Sequence, residues 1–60
     1  MKTVIISYES ISPAVLEIKV KNAFPTSMCM WKDIDEDSFE FSVFGVSDLP
    51  MLEDILAEWV

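Results

Sequence analysis

The sequence predicts an α+β fold, an antiparallel sheet with a C-terminal helix packed on one face. Apolar and polar residues alternate near the start and again over residues 39–44, as in half-buried strands, while residues 49–59 carry apolar side chains at helical spacing. Sixty residues of 6.8 kDa make one compact domain, 1–60. Surface scaling for that mass gives roughly 9,900 Å² unfolded against about 4,000 Å² folded, so the core is thin.

From Lys2 to Tyr8, Val4, Ile6 and Tyr8 alternate with Thr3, Ile5 and Ser7, and the β-branched residues favour a strand. Glu9 to Pro13 turns the chain. Between Ala14 and Lys21, Ala14, Leu16, Ile18 and Val20 share one face of a strand and Glu17, Lys19 and Lys21 the other; only Val15 breaks the pattern. A helix competes for this segment. Ser12 and Pro13 form an N-cap and first-turn pair, and Glu17 and Lys21 are spaced i,i+4. Weighting periodicity over caps gives the order ββββα, with βαββα as the alternative. In the helical version Leu16, Val20, Ala23 and Phe24 face inward and Ile18 outward.

Pro25 ends that element. Ser27 to Lys32 is an apolar run of strand length, Asp33 to Asp37 an acidic turn, and Phe39, Phe41 and Val43 alternate with Glu40, Ser42 and Phe44, so the two runs read as a hairpin. Gly45 closes it. Ser47 or Asp48 caps a helix whose stripe is Leu49, Leu52, Ile55, Leu56 and Trp59, with Glu53, Asp54 and Glu58 off the stripe. The expected core is Val4, Ile6, Leu16, Ile18, Phe39, Phe41, Val43, Leu52, Ile55 and Leu56.

Missing residue types limit the chemistry. The chain has no Arg and no His, four Lys and eleven acids, for a net charge of -7 and a pI near 4.1. It offers no guanidinium fork and no imidazole that titrates near neutrality, and too few cations to track a phosphate backbone, so neither an enzyme nor a direct nucleic-acid binder is expected. Residues 1–32 hold every Lys and two Glu, a net +2, whereas residues 33–60 hold nine acids and no base, a net -9. Val4 to Ile6 is too short an apolar run for a secretory leader, and no run reaches membrane-spanning length. A lone Cys fits a reducing cytoplasm.

Two motifs invite a metal reading. Asp33, Asp35 and Asp37 resemble the start of a calcium-binding EF-hand loop, but the sixth position is Ser38 instead of Gly and the twelfth is Phe44 instead of Glu. Cys29 lies among Met28, Met30 and Trp31, where packing explains it better than soft-metal capture. No metal or cofactor is expected.

Half of the residues, 52%, are apolar, more bulk than so thin a core holds, and the domain has neither a disulfide nor a zinc site to staple it. Trp31, Phe44 and Trp59 are expected at an interface, ringed by Asp33, Asp35, Glu36, Asp37, Glu40, Glu53, Asp54 and Glu58. Glu58 stands where the helix dipole favours a cation, and it repeats Asp54 at i,i+4, as expected of a face shaped for a basic partner. The functional expectation is a non-enzymatic interaction protein that binds and modulates or inhibits a larger protein, by analogy with those that phage and mobile elements encode. The alternatives are a DNA mimic and a small homo-oligomeric subunit, a homodimer at the simplest. Mimicry requires one continuous acidic stripe.

Overall fold

The computed structural model describes residues 1–60. Its elements are β1 (Lys2–Ser7), α1 (Pro13–Ala23), β2 (Met28–Asp33), β3 (Ser38–Phe44) and α2 (Leu49–Leu56). The strands form one antiparallel sheet in the order β1-β3-β2, with β3 in the centre. Because β1 and β2 both run antiparallel to β3, they run parallel to each other. Parallel strands need a crossover, usually helical, and residues 8–27 supply it.

The strand expected over residues 14–21 is therefore a helix, and the observed order is βαββα in place of ββββα. Capping decides the conformation locally: Ser12 Oγ accepts from Val15 N at 3.4 Å, and Pro13 sits in the first turn. Glu17 and Lys21 form no ion pair; the two pairs present are Lys2–Glu53 and Lys32–Glu40. Helical geometry brings Leu16 and Val20 together in the core and swings Ile18 about 200° away from Leu16. Ile18, expected in the core, is 60% exposed.

The core is Ile6, Leu16, Val20, Phe39, Phe41, Val43, Leu52 and Leu56, with Val4 half-buried against it; Ile55, expected within it, is only half-buried. Along β3 the alternation is complete, with Phe39, Phe41 and Val43 buried and Ser38, Glu40, Ser42 and Phe44 half-buried on the other face. Ile6 lies opposite Phe39 and Val4 opposite Phe41, so β1 extends the same apolar face. Asp48 caps α2 by accepting from Met51 N at 3.2 Å. Leu49, assigned to the α2 stripe from spacing alone, is exposed at the first helical position.

Two turns set the strand ends. Ser27 N and Oγ both donate to Phe24 O, at 3.0 and 2.7 Å, which satisfies the one buried polar side chain. Gly45 leaves β3 with φ +78, a region that a side-chain-bearing residue enters at a cost. The whole molecule exposes 3923 Å², close to the scaling expectation of about 4,000 Å². Its exposed apolar groups therefore do not reflect an expanded fold.

Candidate functional site

Both helices contribute to the core on the Phe39–Phe41–Val43 side of the sheet, and the other side is uncovered. Pairing arranges that open face in rows: Ile5–Glu40–Lys32, Thr3–Ser42–Met30, and Phe44 beside Met28. Ile5 is 60% exposed, Met28 67% and Met30 61%, with Phe44 half-buried among them. The rows are tied by polar groups: the Thr3 and Ser42 hydroxyls are hydrogen-bonded at 3.0 Å, and Lys32 Nζ is 3.7 Å from Glu40 Oε1. Lys32 and Glu40 cancel, so this apolar face is without net charge in a chain of net -7. A depression of about 190 Å³ is lined by Met30, Trp31, Lys32, Glu40, Ser42 and Phe44.

The larger depression, about 410 Å³, lies on the helix side between Lys2, Val4, Glu53, Leu56, Ala57 and Val60. Its two charged groups engage each other, with Lys2 Nζ 3.1 Å from Glu53 Oε1. Cys29 is half-buried, and desolvation first, then the Glu17 carboxylate, push its thiol above the ordinary range. A thiol so perturbed is a poor nucleophile at neutral pH. No three Cys, Asp or Glu side chains are placed to hold a metal ion.

Asp35 has a structural role that its spacing did not reveal. Its Oδ1 accepts from Asp37 N at 2.8 Å, Ser38 N at 2.9 Å and Ser38 Oγ at 3.0 Å, folding the hairpin tip. Those bonds, the Asp37 amide foremost and then the Ser38 hydroxyl, hold the carboxyl below its usual range. Asn, Asp or Ser in a short turn is the signal for such a bond, and Asp35–Glu36–Asp37–Ser38 carries it.

The acids do not form one group. Asp33, Asp35, Glu36 and Asp37 surround the hairpin tip, at the end of the sheet where Asp33 pairs with Phe39. Glu53 is bonded to Lys2, which pairs with Val43 at the other end, four residues or about 14 Å along β3. Asp54 and Glu58 are exposed on the helix layer with Glu53, and Glu40 lies on the open face. This arrangement does not favour a phosphate-like stripe.

The three aromatics also separate. Phe44 lies on the open face. Trp31 pairs with Phe41 and stacks on it from the helix side, at the exposed edge of the sheet. The run Met28–Cys29–Met30–Trp31 is apolar throughout and has no alternation to indicate its facing; the pairing register determines it. Trp59 is half-buried, and Lys19 Nζ stands 5.8 Å from the centre of its ring, joining α1 to the segment after α2. No helix is long and apolar enough to cross a membrane. No family model, curated protein or solved structure matches this chain.

Proposed function

We propose that this chain is a non-enzymatic interaction module that binds and modulates a larger protein through the open face of its sheet. One observation carries the reading: the uncovered face holds Ile5, Met28, Met30 and Phe44 on a three-stranded platform with no net charge of its own. Exposed apolar side chains grouped on one face in this way mark interaction sites. The hairpin acids stand at the end of that platform away from Phe44 and Met28, so the partner's surface is apolar where it meets Met28, Met30 and Phe44 and cationic beside the hairpin. The acids accelerate encounter, and the apolar residues hold the complex. This assignment selects Phe44, Glu40 and the hairpin acids from the sequence-based set and leaves Glu53, Asp54, Glu58 and Trp59 on the side facing away.

The test is a kinetic comparison on a partner recovered by co-purification. Neutralising Asp33, Glu36 and Asp37 to Asn, Gln and Asn should slow association and flatten its dependence on salt, while Met28→Asp should speed dissociation. An unchanged association rate and salt response would remove the hairpin from the interface.

A further inference from the structure

Going beyond partner docking, we propose that the free edge of β2 pairs antiparallel with β2 of a second copy of this chain, about a two-fold axis at Trp31. The ladder determines which backbone groups are free. Ile34 N donates to Ser38 O beside the hairpin tip, and hydrogen-bonded pairs recur at every second position, so Met28, Met30 and Lys32 direct their backbone polar groups to β3. Cys29, Trp31 and Asp33 direct theirs outward. No backbone hydrogen bond outside the β2–β3 ladder reaches Met28–Asp33. An apolar edge without Pro or bulge, left unpaired in this way, is a template for strand addition.

The edge is complementary to itself in one register. With Trp31 opposite Trp31 of the second copy, Cys29 falls opposite Asp33, and the three outward-facing residues of each strand all form hydrogen-bonded pairs. Centring the axis on Met30 would set Asp33 against Ser27, whose N–H already donates to Phe24 O. Centring it on Lys32 would place two ammonium groups face to face. At Trp31 the axis puts Lys32 opposite Met30 of the second copy, with its charge already met by Glu40 at 3.7 Å. The strand's own charges, Lys32 and Asp33, sum to zero, so the paired strands themselves add no net charge to the meeting of two chains of net -7. The helix layers then lie on the same side, and the two open faces join into one six-stranded surface.

Sedimentation equilibrium of the whole chain tests this directly. The mass should rise with concentration from 6.8 kDa to twice that value and stop. On the unmodified protein, the amides of Cys29, Trp31 and Asp33 should gain protection from hydrogen exchange as concentration rises, while those of Met28, Met30 and Lys32 stay protected throughout. Met30→Glu, facing Lys32 of the second copy, should tighten the dimer and Met30→Lys loosen it, each roughly two- to thirty-fold because each substitution acts twice across the axis. A monomer at every concentration overturns the proposal, as does protection gained only along β1. Growth past the dimer overturns it too, since pairing β1 with β2 of the next copy runs on into a filament. Loosening by both Met30 variants would put Met30 opposite itself and refute the register. These readouts report self-association alone, so the open-face reading stands or falls separately.

Discussion

Trp31 and Phe41 face each other across β2 and β3 with ring centres 6.3 Å apart and planes 8° from parallel. Phe41 is fully buried at the centre of the sheet, and Trp31 is 42% exposed at its edge. Phe41 also meets Phe39 edge-on at 6.4 Å, and Tyr8 lies 4.9 Å from Phe39, so an aromatic chain runs from the sheet edge to the segment after β1. Phe41→Ala should cost about 3–5 kcal/mol, comparable to the whole stability of a domain this size. Trp31→Ala should cost about 1–2 kcal/mol, since much of its ring is already in water. Urea unfolding of the two variants checks the ranking.

Gly45→Ala should destabilise by about 1–2 kcal/mol through the backbone alone. A Cβ there would stand 3.7 Å from Thr26 O and 3.9 Å from Ser27 Cα, ordinary contact distances, so the cost comes from φ +78. Gly45→Asn, better suited to that conformation, should recover part of the loss in thermal melts.

The acid limb of the stability curve depends in part on Asp35. Its carboxyl titrates lower in the folded chain than in the unfolded one, so its contribution is present above the unfolded value of about 3.9 and is lost as pH falls through the folded value. Asp35→Ala should therefore be less stable than the parent at neutral pH, with the gap closing in acid. Parallel melts from neutral pH downward measure the gap.

Cys29 should alkylate slowly at mildly alkaline pH, and faster once urea unfolds the chain. Its raised folded value also means that the unfolded state ionises first as pH rises, so stability declines as pH passes the ordinary thiol value of about 9 until the folded thiol ionises as well. Replacing Cys29 with Ser should remove that alkaline decline.

How far the fold can be read from the sequence depends on whether each segment carries a single periodicity. Phe39, Phe41 and Val43 alternate without interruption, and Leu52 and Leu56 sit one helical turn apart behind an Asp48 cap, so the hairpin strand and α2 stand where expected. Residues 14–21 carry two patterns at once. Ala14, Leu16, Ile18 and Val20 alternate like a strand, yet Leu16 and Val20 also make a helical i,i+4 pair; Val15 and Ile18, apolar and exposed, blur the helix's polar side. The need to cross between parallel strands resolves the choice, and that need becomes visible only with the sheet order. The open face is legible only in part: Phe44 and Glu40 stand out in the sequence, whereas Ile5, Met28 and Met30 share a side only through the pairing register.

The proposed working surface is the open face, not the helix layer. Ile5 on that face and Ile18 on α1 are each 60% exposed, so Ile5→Asp and Ile18→Asp add one charge at matched accessibility on opposite sides of the sheet. The direct measurement is retention of the co-purifying partner by each variant, with thermal melts confirming that both are folded. Ile5→Asp should lose the partner and Ile18→Asp keep it; retention by Ile5→Asp with loss by Ile18→Asp would move the working surface to the helix layer.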